Sequence, residues 1–272
     1  MAIYNYNFKP DPVFHFRTSE VKHATKHNYD LLDRVLTFGL ELETDYVENG
    51  QDTSRYDYTE DLDTLGLPIY CKDDGSLNYG AEIVTHPCSL NYLKYDFRFR
   101  AVQKTARKHS FSGEVRTCGL HIHVGRRGLG DTDLDRRQTA AKLVLLADAV
   151  WDELVKFSRR DSYTISWARR PDIPAGTQAL VTRALRAGGQ GADHEARYTA
   201  VNLTNDNTVE FRVFQGTLDR DTILAAVELV DVMCRYAMTH TPAQCHHATW
   251  GKLMELNTDK ELAEYCEKQG VA

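Results

Sequence analysis

The chain has 272 residues and a formal net charge of −6. Hydrophobic residues make up 42% of it and charged residues 26%, which is typical of a globular protein and excludes a disordered or fibrous one. An acidic chain offers no overall basic surface to a phosphate backbone, so nucleic acid is not the expected partner.

The start of the chain favours a cytoplasmic protein. Its first 16 residues have neither a basic start nor an apolar stretch of signal-peptide length, and no later run reaches membrane-spanning length. We therefore expect no membrane partner. Residues 1–30 are interpreted as a mobile N-terminal extension of a single domain, residues 31–272.

The cysteines form no C-x-x-C pair, which predicts reduced and mostly buried thiols. They are Cys71, Cys88, Cys118, Cys234, Cys245 and Cys266. A run of Cys245, His246 and His247 could bind a transition metal, but no second ligand pair lies nearby in the sequence. A loop is the favoured interpretation of that run.

Two strands are predicted in the first third of the chain. Apolar residues alternate with polar ones from Val35 to Val47, which is the period of a half-buried strand, and Glu41 and Glu43 lie on its polar face. The segment from Leu77 to Thr85 has the same pattern, with Glu82 on the polar face, and it follows a turn-like Asp-Asp-Gly-Ser sequence.

Helical spacing of apolar residues predicts a helix from Leu90 to Ala106 and a longer one from Leu134 to Phe157. Between them, Leu120 to Val124 alternates as a strand whose polar face carries His121 and His123. The glycine-rich segment from Gly125 to Gly130 is a predicted loop; its backbone could bind phosphate, but a simple polar connection is the favoured interpretation.

The last third contains another strand pair and a closing helix. A short helix around residues 180–185 precedes a glycine cluster, residues 188–191, which we interpret as a flexible loop that closes over substrate. Strands are predicted over Tyr198–Thr204 and Thr208–Phe214, and a helix over Asp219–Thr239. This order predicts an α+β fold in which a curved antiparallel sheet has helices packed on one face.

The polar face of this sheet has an unusual composition. It carries carboxylates, imidazoles and a guanidinium, namely Glu41, Glu43, Glu82, His121, His123, Glu210 and Arg212. Each residue alone suits a solvated surface, but two carboxylates about 4 Å apart repel by roughly 4 kcal/mol at an effective dielectric of 20. Mg²⁺ or Mn²⁺ would relieve that repulsion. Zinc on the His-x-His pair is the alternative metal, although no further thiolate or histidine is placed to complete its site.

Four motifs occur in an order that resembles the amidoligase family, which belongs to the carboxylate-amine ligase superfamily with glutamine synthetase and glutamate-cysteine ligase. They are FGLELET at 38–44, DDGSLNYGAEIVTHP at 73–87, CGLHIHVG at 118–125, and RYTAVNL with TVEFRVFQGTLD at 197–218. The resemblance covers roughly residues 35–236. It implies a catalytic domain like that of glutamine synthetase, ATP with Mg²⁺ or Mn²⁺, and an acyl-phosphate intermediate that an amine attacks.

The resemblance also implies roles for individual residues. Glu43, Asp74 and Glu82 would hold one metal ion, and Glu41, His121 and Glu210 another. His123 and Arg126 would lie near the nucleotide, whereas Arg197 and Arg212 would face transferred phosphate or a substrate carboxylate. Arg160 would contact substrate.

The expected partners are a carboxylate substrate and an amine substrate, each of which could be a small molecule, a peptide or a protein tail. Two alternatives to an ATP-dependent ligase stay open. One is a phosphotransferase resembling guanidino kinases, and the other is a non-catalytic module that binds nucleotide or metal without turnover.

Overall fold

An antiparallel sheet with helices on one face dominates the computed structural model, which describes residues 3–47, 54–173 and 198–271. The strands are β1 (Thr37–Tyr46), β2 (Ile69–Lys72), β3 (Ala81–Thr85), β4 (Cys88–Ser89), β5 (Phe111–Ser112), β6 (Gly119–Gly125), β7 (Val201–Asn202) and β8 (Thr208–Gln215). The helices are α1 (Thr18–His27), α2 (Arg55–Asp63), α3 (Leu90–Tyr95), α4 (Phe99–Lys108), α5 (Asp133–Ala149), α6 (Trp151–Ser158), α7 (Arg220–Thr239), α8 (Pro242–His246), α9 (Trp250–Met254) and α10 (Lys260–Gln269).

The sheet is open, with strand order β2-β3-β1-β6-β8-β7 and every pair antiparallel. Strands β4 and β5 pair with the two ends of β1. Strands β1, β6 and β8 are therefore adjacent at its centre, although long segments of chain separate them in sequence. This architecture confirms the predicted α+β class.

Alternating side chains bury one face of the central strands. Leu40 and Leu42 of β1, Ile122 of β6 and Phe211 of β8 are at most 1% exposed and belong to the main hydrophobic core. Burial of an aliphatic or aromatic side chain of this size contributes about 1.5–3 kcal/mol relative to its exposure to water. The same alternation directs the residues between them, including the predicted glutamates and histidines, to the opposite face.

The strand predicted from Leu77 to Thr85 begins later, at Ala81. The buried carboxylate of Asp45 accepts hydrogen bonds from the backbone N–H groups of Asn78 (2.9 Å) and Tyr79 (2.9 Å), which bends the chain away from the sheet. At Gly80 a Cβ atom would lie 2.1 Å from the Thr44 carbonyl oxygen. Close backbone packing therefore shortens the strand.

The helix predicted from Leu90 to Ala106 is two helices, α3 and α4. Asp96, which pairs with Arg17 (3.0 Å), ends the first one. Buried Phe97 then packs against Phe99, with ring centroids 4.5 Å apart, so the chain turns to place both rings in the core. These tertiary contacts outweigh the continuous helical spacing of the sequence.

The helix predicted from Leu134 to Phe157 is likewise divided, into α5 and α6. The N-terminus of α5 is capped by Thr132, whose hydroxyl accepts a hydrogen bond from the backbone of Asp135 (3.1 Å). At the junction Val150 is fully buried, with backbone angles (φ −108°, ψ 29°) that depart from the helix. The helix is therefore interrupted at Val150, whose side chain lies in the core.

Two smaller expectations differ from the structure, and a third is confirmed. Residues 125–130, predicted as a loop, contain a 3₁₀ helix at Arg126–Leu129. The strand predicted over Tyr198–Thr204 is only the two residues of β7, because the Asn202 side chain accepts a hydrogen bond from the Thr204 N–H (2.9 Å) and starts the turn. The predicted helix Asp219–Thr239 is confirmed as α7, with Asp219 as its N-cap.

The C-terminal helix α10 packs on α7 around a buried ion cluster. Lys94 Nζ lies 2.7 Å from Glu228 Oε1 and 2.7 Å from Asp259 Oδ1. Burial raises the pKa of Glu228 to about 7, although Lys94 opposes the shift. Glu228 also accepts a hydrogen bond from the Leu262 N–H (2.8 Å), so this carboxyl group joins three elements of the fold.

The residues before β1 follow the edge of the sheet. Tyr4 forms a parallel bridge with Lys72, and His15 forms one with Cys88. The predicted buried state of the cysteines is confirmed, because all six are buried and free. Among the described residues, no helix combines the length and apolar character needed to cross a membrane. The helix predicted around residues 180–185 and the glycine loop at 188–191 lie outside the described residues.

Candidate active site

Glu41, His123 and Glu210 form a compact group on the polar face of the sheet. They lie on the adjacent strands β1, β6 and β8, and one ligand atom from each lies within 4.8 Å of the other two. Oxygen atoms from two carboxylates with one imidazole nitrogen are ligands that suit Mn²⁺ and that Mg²⁺ tolerates. These three residues could therefore hold one metal ion.

A β-bulge in β8 produces this grouping. Leu120 pairs with Phe214 but Ile122 pairs with Phe211, so β8 has one extra residue between the two positions. The Arg160 guanidinium occupies the bulge, where it donates to the carbonyl oxygens of Arg212 (3.0 Å) and Val213 (3.0 Å). As a result, His123 lies directly opposite Glu210.

Glu210 is buried and has partners on both carboxylate oxygens. Oε2 accepts hydrogen bonds from the side-chain amides of Asn202 (2.8 Å) and Asn205 (3.2 Å). Oε1 accepts one from Arg212 Nη1 and lies 3.8 Å from His121 Nδ1. Burial alone would raise the pKa of Glu210, but His123 and Arg212 outweigh it and lower the pKa, which favours a charged carboxylate.

Glu41 lies between the two histidines of β6. Its Oε2 is 3.1 Å from His121 Nδ1, and its Oε1 is 3.2 Å from His123 Nε2. Burial opposes ionisation here too, yet His123 and His121 hold the pKa of Glu41 well below its ordinary value. Both carboxylates of the three-residue group are thus charged at neutral pH.

His123 has one engaged and one unsatisfied ring nitrogen. Nδ1 contacts the Thr208 hydroxyl at 3.2 Å, which fixes the orientation of the ring. Nε2 is buried and has no assigned hydrogen bond among the described residues, although it lies 3.2 Å from Glu41 Oε1. Burial lowers the pKa of His123, but Glu41 outweighs this and raises it. An oriented ring with an unsatisfied nitrogen beside two carboxylates fits a metal ligand.

The other predicted metal group, Glu43, Asp74 and Glu82, does not converge in the same way. Asp74 Oδ1 accepts hydrogen bonds from the backbone N–H (2.7 Å) and hydroxyl (2.6 Å) of Ser76, as a turn residue does. Glu43 Oε2 accepts one from the Gly119 N–H. Burial raises the pKa of Glu43, and burial together with nearby Glu41 raises that of Glu82.

The structure gives the predicted arginines different surroundings. Arg212 is mostly buried beside Glu210, and its Nε has no hydrogen-bond partner in the described part of the chain. Arg126 donates to the carbonyl oxygens of Leu203 (2.9 Å) and Thr208 (3.1 Å), so it ties the β7–β8 hairpin to β6. Arg197 lies outside the described residues.

Gly119 allows close packing beneath the site. A Cβ atom there would lie 3.0 Å from His121 Nε2, 3.1 Å from Arg160 Nη2 and 3.2 Å from Glu43 Oε2. Such contacts are tighter than ordinary van der Waals packing allows. Burial lowers the pKa of Arg160 to about 10.

Three residues near the site were not predicted from the sequence as site residues. Lys72 reaches Glu82 from the edge strand β2, which was too short to be recognised by alternation. Asn202 lies in a predicted strand and Asn205 between two predicted strands, yet both donate to Glu210. A search for amide side chains within one hairpin of a buried glutamate could have found the two asparagines.

Comparison with solved structures shows that the chain shares its fold with GmaS. GmaS, solved as an ADP complex, is similar with a TM-score of 0.52 and 13% identity, over 93% of this chain and 71% of that one. PafA, solved with the prokaryotic ubiquitin-like protein Pup, gives a TM-score of 0.39 and 8% identity, over 88% of this chain and 63% of that one.

Sequence comparison identifies the family. No curated protein sequence matches the chain. Residues 16–233, more than half of the chain, match the family described as "Putative amidoligase enzyme". The chain therefore belongs to this family of amidoligases, which are carboxylate-amine ligases that form amide bonds.

Proposed function

We propose that this chain activates a carboxylate with ATP and joins it to an amine, with a divalent cation bound by Glu41, His123 and Glu210. The observation that carries the proposal is the convergence of these three residues, with the unsatisfied His123 Nε2 among them. A protein of similar fold, GmaS, has been solved with ADP, which supports a nucleotide site in this fold.

The proposed reaction has two steps. A carboxylate oxygen of the acid attacks the γ-phosphorus of ATP, the bond to the β-phosphate oxygen breaks, and ADP leaves. The amine nitrogen then attacks the acyl carbon of the acyl phosphate, inorganic phosphate leaves, and the amine loses a proton. When bound, the cation would neutralise charge on the phosphoryl oxygens.

The residues of the chain have distinct parts in this proposal. Arg212, with its unsatisfied Nε, faces the transferred phosphate or the substrate carboxylate, and its planar fork suits both. We give Arg197 the same role. Asn202 and Asn205 hold Glu210 in place, and Arg160 holds the backbone of the β8 bulge so that Arg212 stays aligned. His121 keeps Glu41 oriented.

We assign Arg126 and the three acidic residues Glu43, Asp74 and Glu82 to the surroundings of this centre. Arg126 holds the hairpin at the side of the site where we place the nucleotide. Glu43, Asp74 and Glu82 form the acidic side, next to Lys72. The acid and amine are small molecules, peptides or protein tails.

Hydroxylamine as the amine tests the proposal without knowledge of the natural amine. Purified protein with ATP and Mg²⁺ is incubated with a panel of amino acids, peptides and protein tails, with and without hydroxylamine. We expect at least one acid of the panel to cause ADP release. In the presence of hydroxylamine, the same acid should form hydroxamate in an amount equal to the ADP released. The Glu41→Gln variant, which lacks one proposed ligand charge, is the control for contaminating activity.

Two results would contradict this function. ADP release with a stable phosphorylated product and no hydroxamate identifies a phosphotransferase. Nucleotide binding with no turnover across the panel favours a binding module.

A further inference from the structure

The acidic residues of the polar face fall into two groups, and only one of them offers three converging ligands among the described residues. Glu41 and Glu210 converge with His123, as described above. Glu43 and Glu82 lie opposite each other on β1 and β3, but no third ligand joins them in the part of the chain that the structure describes. The second group is therefore incomplete as a metal site.

Lys72 occupies the place beside this second group. It lies opposite Glu82 in the pairing of β2 with β3, and its Nζ is 3.4 Å from Glu82 Oε2. The Lys72 side chain is 9% exposed and that of Glu82 is 3% exposed. An ammonium group buried to this degree beside a carboxylate is a fixed part of the site, unlike a surface ion pair.

Several contacts hold Lys72 in position. The Tyr4 N–H donates to the Cys71 carbonyl oxygen (3.0 Å), and the Asp73 N–H donates to the Tyr4 carbonyl oxygen (2.8 Å), so a second backbone segment pairs on both sides of Lys72. The Tyr6 ring centroid lies 5.6 Å from Nζ, within reach of a cation–π contact. The ammonium is therefore positioned by both β2 and the N-terminal segment.

The remaining polar atoms of the second group indicate what would happen without the ammonium. Glu82 Oε1 is buried and has no hydrogen-bond partner among the described residues. Glu43 Oε1 has only a 3.7 Å contact with His121 Nε2 in the structure as described. Removal of Lys72 would leave two buried carboxylates with unsatisfied oxygens, and this arrangement attracts a hard divalent cation.

We infer that the Lys72 ammonium takes the place of a second divalent cation. The site then binds one metal ion, on Glu41, His123 and Glu210, and Lys72 provides the positive charge beside Glu82. The inference rests on the proposed function for the location of the first ion. A lysine charge cannot bridge phosphoryl oxygens as a divalent ion does, but it places a positive charge beside Glu82 that does not depend on the metal concentration.

The test counts bound Mn²⁺ on the full chain in the absence of nucleotide, by electron paramagnetic resonance with equilibrium dialysis. The wild type is expected to bind one ion per chain and Lys72→Met two, because methionine keeps the length of the side chain without its charge. Lys72→Arg, which retains a cation, should bind one. Lys260→Met is the matched control, since Lys260 is an exposed surface lysine, and it should also bind one.

A double variant keeps the test decisive if Lys72→Met does not fold. Lys72→Met with Glu82→Met replaces the buried ion pair by two apolar side chains of similar length. This variant should bind as many ions as the wild type. A wild type that binds one ion more than the double variant would show that Glu82 already holds a metal, and the inference would be wrong.

The outcomes separate this inference from the proposed function. Two ions in the wild type, or one ion in folded Lys72→Met, overturns the role of Lys72 and leaves the first metal site standing. No ion in the wild type but one in Lys72→Met overturns the first metal site and supports the role of Lys72. No ion in either protein contradicts both.

Discussion

Glu41 is the side chain through which the two histidines of β6 are joined, because each of its oxygens contacts a different imidazole. The positions of the three side chains therefore depend on one another. His121 orients the Glu41 carboxylate, and this carboxylate places a negative charge beside His123. His123 in turn lies opposite Glu210 on the neighbouring strand. Substitution of Glu41 therefore affects more than one ligand.

We expect Glu41→Gln to lower Mn²⁺ affinity and ATP turnover at least tenfold each, because a neutral amide removes one ligand charge. The loss of one charged contact in such a site is on the order of 3 kcal/mol. The free energy of unfolding should fall by at most about 2 kcal/mol, since the shape is retained. Metal titration, steady-state kinetics and denaturant unfolding measure the three quantities.

Glu264→Gln is the control for this substitution, because Glu264 is exposed and pairs only weakly with Lys260 in the neighbouring helical turn. It should leave all three quantities unchanged. A folded Glu41→Gln protein with wild-type metal affinity and turnover would contradict the placement of the metal.

At the residue scale, the sequence predicted which side chains share a face but not which of them meet. Alternation was enough to place Glu41, His121, His123 and Glu210 on one side of the sheet. The β8 bulge, which shifts the register by one residue and brings His123 opposite Glu210, leaves no clear trace in the sequence. Register beyond a bulge depends on tertiary contacts such as those of Arg160.

The elements of the fold were predictable where their pattern was local. Strands β1, β6 and β8 and helix α7 follow directly from alternating or helical spacing. The breaks within the two other predicted helices were not predictable from local spacing. The first of them involves a distant partner, because Asp96 pairs with Arg17. Edge strand β2 has four residues, too few for a periodic signal.

The contact of α10 with α7 is expected to depend on pH through Glu228. Its pKa is raised from 4.5 to about 7, chiefly by burial. The protonated form is therefore favoured in the folded state, and the stability that this contributes is complete below pH 4.5 and is lost as pH rises to about 7. Lys94 remains charged throughout this range, because Asp259 and Glu228 outweigh burial and raise its pKa.

Comparison with Glu228→Gln isolates this group. The unfolding free energy of the wild type minus that of the variant should fall by at most about 3 kcal/mol between pH 4.5 and pH 7. Any constant cost of placing an amide against Lys94 cancels in this slope. Urea unfolding across the pH range measures it, with Glu264→Gln as the control. A difference that does not vary with pH would show that Glu228 ionises normally.

For the molecule as a whole, the sequence predicted the α+β class and the family, because the four motifs occur on the strands that build the site. It also predicted a single domain over residues 31–272, but its spacing predicted no helix after Thr239. The C-terminal helices α8, α9 and α10 follow the family match, which ends at residue 233, within α7. They bury Cys245, Leu253 and Leu262 in the main core, so they are part of the same folded unit.

The strand order has a consequence for how the protein folds. Glu41 and His121 are 80 residues apart in sequence, and His123 and Thr208 are 85 residues apart, yet these pairs are in contact across neighbouring strands. Helices form from local contacts in microseconds, whereas pairings over such separations must first close long loops. The three candidate ligands therefore assemble only when the centre of the sheet is complete.

Mn²⁺ uptake should consequently report the final event of refolding. After dilution from denaturant, we expect the far-ultraviolet circular dichroism signal to recover first and Mn²⁺ binding, followed by competition with a fluorescent chelator, to recover in the slowest phase. Binding that returns with the earliest helical signal would show that the ligands meet before β1, β6 and β8 pair. If the order is as expected, the ion cannot act as a nucleus for folding, and it binds a sheet that has already formed without it.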